Sequence, residues 1–132
     1  MNAKDLYTSL STTYPNHYFG SYEELNLILD NADFPCLVVI PVSKQVSFIA
    51  DRFKLVETVV VASLERMELD FETTEAYDSI LSMERALFNG LYPLQSKIKS
   101  MQVLSELNKF DQNVLFAALS LELINDSVSC KY

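Results

Sequence analysis

Residues 53–71 form the longest β-favouring run in the chain, and this run limits what the rest of the protein can fold into. Through residue 64, apolar side chains fall on both faces of a strand, so neither face is strongly polar. From Glu65 onward, carboxylates alternate with apolar residues, which is typical of a strand end that meets solvent. We therefore predict a central strand over residues 53–64, covered on both sides, with an acidic end beyond it.

Two helices are predicted before this strand. Residues 2–10 can form a helix with Asn2 as its cap, and residues 21–32 follow a Ser-x-x-Glu capping box at Ser21 and Glu24. Phe34 and Pro35 then close the second helix. The Tyr-rich segment between the two helices is expected to be irregular.

A first strand and a hairpin are predicted between the second helix and the central strand. Residues 36–42 are apolar and mostly β-branched, and Pro41 is expected to end their hydrogen-bonded ladder. Residues 43–52 continue the pattern weakly, and their polar side chains predict a projecting hairpin or loop.

The second half of the chain predicts one long helix and a closing hairpin. Residues 73–92 have a helical apolar stripe, an acidic start and a terminator formed by Gly90 and Pro93. Two strands follow at residues 97–107 and 113–124, separated by a polar turn at residues 108–112.

The order of elements, ααββαββ, predicts an α+β fold whose helices pack on a largely antiparallel four-stranded sheet. The 132 residues suit a single domain. We divide it into an N-terminal helical, Tyr-rich segment (residues 1–20), an α+β core (residues 21–126) and a tail (residues 127–132).

Composition disfavours several classes of protein. The net charge of −8 repels polyanions and anionic membranes, so neither nucleic acid nor a membrane is an expected partner. The longest apolar run is far shorter than the roughly 20 residues of a membrane span, and no basic, apolar leader opens the chain, so we expect a protein that is not secreted. Two cysteines are too few for a disulfide scaffold, and Cys36 is expected to be a buried apolar residue.

Catalytic and cofactor motifs are missing from the sequence. His17 is the only histidine, and we interpret it as a loop residue. Neither Gly20 nor Gly90 belongs to a phosphate-binding fingerprint. The acidic run continues through Glu75 and Asp78 and is better explained as a solvated or contact surface than as a metal site. We therefore predict no catalytic residues, no metal and no cofactor.

The chain offers several candidate contact residues. The tyrosines near the N-terminus suit an interface as well as core packing, and both interpretations stay open. Charged and aromatic side chains at the hairpin, the acidic strand end and the closing hairpin form the candidate interface: Lys44, Phe48, Arg52, Glu65, Glu68, Asp70, Glu72, Lys97, Lys99 and Lys109. The lysines of the closing hairpin are equally suited to keep edge strands from pairing with other chains.

The arrangement resembles the tail terminator or tail-completion proteins of long-tailed bacteriophages. The resemblance lies in a leading helix, a hairpin with a polar loop (residues 43–52), one long helix (73–92) and closing strands at 103–107 and 114–124. It covers residues 21–126. It implies a non-enzymatic subunit that forms a ring, caps the tail tube and contacts head–tail connector proteins, in the virion or the host bacterial cytoplasm.

Two other functions remain open at this stage. One is a small acidic binding or immunity-type module that masks a basic protein partner with residues 65–78. The other is a metal-dependent hydrolase built on the same carboxylates.

Overall fold

The computed structural model describes residues 1–21, 23–24, 33–50, 52–66, 73–110, 114–125 and 128–129. Its two α-helices are α1 (Ala3–Ser11) and α2 (Thr73–Leu91), and a short 3-10 helix covers Tyr92–Lys97. The strands are β1 (His17–Phe19), β2 (Cys36–Ile49), β3 (Arg52–Arg66), β4 (Ile98–Val103), β5 (Glu106–Phe110), β6 (Val114–Ile124) and β7 (Val128–Ser129).

The strands form one mixed sheet whose main path has the order β1-β2-β3-β6-β4, with β5 beside β6 and β7 beside β3. β1 is parallel to β2, and the other pairs are antiparallel. The α+β class is confirmed, but the prediction of a four-stranded antiparallel sheet is only partly correct. The extra strand β1 lies in the Tyr-rich segment, and its three residues are too few to give an alternating pattern in the sequence.

Pro41 does not end the ladder of β2, contrary to the prediction. Backbone groups of Leu37 and Val39 bond to the segment that contains β1, so those of Pro41, two residues further on, point the same way. β1 ends opposite Val39, and the missing N–H of Pro41 therefore needs no partner. Pairing with β3 continues after a register shift between Pro41 and Ser43.

The strand predicted at residues 97–107 is two strands, β4 and β5. At the break, Leu104 N donates to Ala118 O at 2.8 Å, and Ala118 N donates to Ser105 Oγ at 3.0 Å. The serine hydroxyl thus replaces a backbone acceptor at the interruption. β5 extends to Phe110, so the predicted turn at residues 108–112 is too long, and its remainder lies outside the described residues.

Gly90 lies inside α2 rather than ending it as predicted. No glycine in the described part of the chain has a positive φ, so Gly90 does not form a left-handed cap. A Cβ at this position would lie 3.2 Å from Leu10 Cδ2 of α1. The glycine therefore allows the two helices to approach closely, and the 3-10 helix that contains Pro93 continues the chain.

The middle of the sheet is buried on both faces, so the prediction of a covered central strand is confirmed for residues 59–64, whereas residues 53–56 and 58 are only half-buried. Val59 and Val61 of β3 belong to a cluster that also contains Leu6 and Leu10 of α1 and Leu87 of α2. The alternate residues Val60, Ala62 and Leu64 join a second cluster on the other face, with Cys36, Val38, Ile40, Val114, Phe116 and Ala118.

The N-terminal helix begins as its sequence predicts. Asn2 Oδ1 accepts from Asp5 N at 2.8 Å, and Asp5 Oδ2 accepts from Asn2 N at 3.2 Å. At the second predicted helix, Ser21 Oγ accepts from Glu24 N at 3.3 Å. Residues 25–32 of that prediction lie outside the described residues.

Candidate functional site

Three of the candidate contact residues lie on a projecting arm, which we define as residues 41–49 of β2 and 52–58 of β3. Every described side chain of β2 from position 41 to 48 is exposed, whereas the facing residues 53–58 of β3 are half-buried or, at Glu57, buried. Phe48 is 75% exposed, and its ring lies beside that of Phe53 at a centroid distance of 6.4 Å. Lys44 and Arg52 are exposed on the same arm. The prediction of a projecting hairpin therefore matches the structure.

The acidic candidates lie at the other end of β3. Glu65 is half-buried near the end of the strand, and the rise of a strand places it about 40 Å from Arg52. Glu68, Asp70 and Glu72 lie outside the described residues. The hypothesis of an acidic surface that masks a basic partner stays a prediction.

The lysine candidates lie at the opposite edge of the sheet from β2. Lys97 ends the 3-10 helix and is half-buried, and Lys99 Nζ lies 3.7 Å from Glu122 Oε2 on the adjacent strand. Lys109 belongs to β5. An exposed ion pair of this kind contributes little to the stability of the fold. It therefore does not account for the composition of the surrounding surface.

Apolar residues, which the sequence analysis did not select, dominate this edge. Tyr92, Met101 and Val103 are 69%, 46% and 47% exposed. Beside them lies a groove of about 330 Å³ between the end of α2, the 3-10 helix and β4. We call it the edge groove, and its lining is mostly apolar: Phe88, Leu91, Tyr92, Gln95, Ile98, Ser100 and Met101. Its only sequence signal was the apolar content of residues 98–103.

The aromatic residues near the N-terminus are divided between the two faces of the sheet. Tyr7 and Tyr14 pack against the cluster under the helices, whereas Tyr18 packs against the other. His17 is exposed on β1 rather than in a loop, and its Nδ1 lies 2.6 Å from Tyr7 Oη. Within the described ranges, no group of three or more His, Cys, Asp or Glu side chains could hold a metal ion.

A second cavity, which we call the Tyr14 pocket, lies between the middle of α2 and the acidic end of β3. It has a volume of about 260 Å³ and a lining that mixes polar and apolar groups: Tyr14, Pro35, Ser63, Glu65, Ser79, Ser82, Met83 and Ala86. Burial raises the pKa of Tyr14 above 10.0, the nearby Glu65 carboxylate raises it further, and Ser63 opposes the shift. Ser63 lies nearby, but Tyr14 Oη has no hydrogen-bond partner within the described residues.

Glu57 is the buried carboxylate of β3. Its exposure is 3%, and its Oε1 accepts from Ala3 N, at the first turn of α1, at 2.7 Å. The sequence carried a signal for this role, since Glu57 alternates with Val59 and Val61 on one strand face. Its position opposite Lys44 places it at the base of the arm.

Cys36 is the described cysteine, and it is buried as predicted. Its exposure is 0%, and burial raises the pKa of its thiol from 9.0 to about 11. The thiol is therefore protonated and unreactive near neutral pH. Cys130 lies outside the described residues.

Comparisons with known proteins add no family. No protein-family model matches the chain, and no curated protein matches it significantly. Among the helices that the structure describes, none combines the length and apolarity that a bilayer crossing requires. Functional inference therefore depends on the surfaces described above.

Proposed function

We propose that this chain is a non-enzymatic structural subunit that assembles head to tail into a ring. One observation carries the proposal: the chain has an exposed aromatic knob, Phe48, on its arm and an apolar edge groove on a different part of its surface. The two features lie on non-neighbouring strands, β2 and β4, separated by β3 and β6. One copy cannot join them to itself without unfolding the sheet, whereas two copies can.

A contact between different surfaces of identical subunits is heterologous. Such a contact repeats from copy to copy and closes into a ring when the rotation per subunit divides a full turn. Burying a phenylalanine contributes about 1.5–3 kcal/mol, so Phe48 would need neighbouring contacts from the arm and the β4 edge. Three basic residues on the arm, Lys44, Arg52 and Lys54, would also be attracted to a neighbour whose net charge is −8.

More specifically, we propose that the subunit of this ring is a phage tail terminator or head–tail joining protein. Its support is the resemblance in the order of elements, together with the projecting arm and the long helix α2. The partners would be the tail tube and head–tail connector proteins, in the virion or the host bacterial cytoplasm. The gene should then lie among tail genes, and a neighbourhood without tail-tube or connector genes would contradict this assignment.

Ring assembly can be tested by sedimentation of matched surface variants. Wild-type protein should give one discrete mass that is a multiple of 15.0 kDa. Phe48→Asp removes the knob, and Met101→Asp places a charge in the edge groove, so each variant should be monomeric. Tyr77→Asp changes another exposed aromatic residue, which lies on α2, and should assemble like wild type.

Mixing the two defective variants distinguishes a heterologous contact from a symmetric one. Phe48→Asp retains an intact groove and Met101→Asp retains an intact knob, so an equimolar mixture should form a dimer with one copy of each. Wild-type protein that remains monomeric at high concentration would overturn the proposal. A mixture that stays monomeric, or single variants that still assemble, would overturn the knob-and-groove contact.

A further inference from the structure

The Tyr14 pocket contains a carboxylate whose charge is not neutralised by any group in the part of the chain that the structure describes. Glu65 is half-buried, and no cationic side chain within the described ranges pairs with it. Its neighbour Arg66 instead places its guanidinium 4.9 Å from the centre of the Phe34 ring. Phe34 packs on the face that holds Leu64, opposite the face of Ser63 and Glu65, so Arg66 points away from the pocket.

The remaining polar groups of the pocket are hydroxyls. Ser63 is 4% exposed at the base, whereas Ser82 is exposed at the mouth. Tyr14 Oη is buried without a hydrogen-bond partner in the described part of the chain. A buried hydroxyl without a partner is uncommon, because leaving it unpaired is unfavourable. The site thus combines one anionic acceptor with several hydroxyls, and its lining contains no basic side chain.

This chemistry selects a cation that donates several hydrogen bonds. An anionic ligand would be repelled by Glu65, and a purely apolar ligand would leave the carboxylate unpaired. A guanidinium presents five donors in one plane, which suits a carboxylate flanked by hydroxyl oxygens. Met83 and Pro35 supply apolar surface for the methylene stem that carries such a group.

We propose that the Tyr14 pocket binds a guanidinium group, with Glu65 as its counter-ion and the serine hydroxyls as further acceptors. The group is the end of an arginine side chain on a partner protein, or a small free guanidinium compound. The volume of about 260 Å³ lies slightly below that of drug-sized ligand sites, and it suits one side chain rather than a larger cofactor. This inference does not depend on the proposed ring.

The test is an NMR titration of ¹⁵N-labelled protein with three probes. A capped Gly-Arg-Gly peptide represents a partner side chain, methylguanidine represents a free compound, and capped Gly-citrulline-Gly is the neutral control. Shifts should be confined to amides around the pocket, and citrulline should bind at least tenfold more weakly than arginine. A partner side chain is favoured if the arginine peptide binds at least as tightly as methylguanidine, and a free compound if only methylguanidine binds.

Variants decide whether the pocket is responsible for binding. Glu65→Gln should weaken binding of either guanidinium probe at least tenfold, and Ser82→Phe, at the exposed mouth, should block it. Glu75→Gln removes an exposed carboxylate outside the pocket and should leave the affinity unchanged. The proposal is overturned if neither guanidinium probe binds, if citrulline binds as well as arginine, or if Glu65→Gln retains full affinity. None of these outcomes depends on ring formation.

Discussion

Glu57 occupies a strand face that otherwise buries valines, and a hydrogen bond explains why a carboxylate is tolerated there. Burying an ionisable group without a partner is costly. Glu57 accepts from Ala3 N, where the unpaired N–H groups of a helix begin and the helix dipole is positive. One side chain thus connects the central strand to α1.

Removing this acceptor should destabilise the fold. Glu57→Ala leaves Ala3 N without its partner at a buried position, so the free energy of unfolding should fall by about 1–3 kcal/mol. Glu57→Gln keeps an acceptor oxygen and should cost less. Urea denaturation followed by circular dichroism measures both changes.

The control is Glu75→Ala, which removes an exposed carboxylate from the first turn of α2. It loses only a helix-dipole interaction, worth about 0.3–1 kcal/mol. Equal losses for Glu57→Ala and Glu75→Ala would mean that the Glu57 hydrogen bond does not stabilise the fold.

At the scale of elements, the conformation of the arm depends on its turn as much as on its strands. The ladder of β2 and β3 continues to the pair Ile49 and Arg52, which leaves a two-residue turn. Ala50 in that turn has a φ of 55°, in the left-handed region that residues with a Cβ adopt at a cost of roughly 1–2 kcal/mol. Two-residue hairpins favour Asn or Gly at such positions.

Substitutions at Ala50 should therefore change the stability of the arm in a defined order. Ala50→Asn should stabilise it by about 0.5–1 kcal/mol, because Asn tolerates the left-handed region without the extra backbone freedom of glycine. Ala50→Val should destabilise it by about 1 kcal/mol or more, because a β-branched residue is an outlier there. Hydrogen exchange of the backbone amides of Ser47 and Lys54, a pair whose N–H groups point into the ladder between β2 and β3, reports on the arm directly. If the Val variant exchanged as slowly as wild type, the left-handed turn would be wrong.

For the whole molecule, burial of both sheet faces is the property on which the fold depends. One face is covered by α1 and α2. On the other, Cys36 lies in a cluster with Val38, Ile40 and Val60, and Tyr18 and Phe34 pack against it. The thiol of Cys36 therefore reports whether this second face is closed.

The Cys36 thiol should make stability depend on pH in the alkaline range. Its pKa is about 11 in the native state and 9.0 in the unfolded chain, so above pH 9 the unfolded state binds fewer protons. The stabilisation is complete below pH 9 and is lost as pH rises to about 11, by roughly 3 kcal/mol in total. Urea unfolding under reducing conditions between pH 8 and 11 measures it.

Cys36→Ala is the matched comparison for this pH dependence. It removes the titrating group, so its stability should fall less steeply than that of wild type over the same range. The pKa of Tyr14 is also raised, so both proteins lose further stability above pH 10. Parallel curves for the two proteins would show that the second face is open to water.

The sequence by itself determined the elements that depend on local physics. The Asn2 cap indicated α1, the stripe of α2 was periodic, and the apolar residues of the predicted strand 53–64 required cover on both faces, which residues 59–64 have. Each of these signals involves residues close together in the chain, so no knowledge of distant partners was needed.

Tertiary structure decided the features that depend on residues far apart in the chain. β1 exists because the edge of β2 offers partners, and Pro41 is accommodated because β1 ends before it. Gly90 permits a close approach of α1 and α2 instead of ending a helix. The Tyr14 pocket likewise joins residues 14, 63–65 and 79–86, whose separation in sequence hid their proximity. Neighbours that only folding brings together leave no local pattern, and for this reason the edge groove and the Tyr14 pocket were found only in the structure.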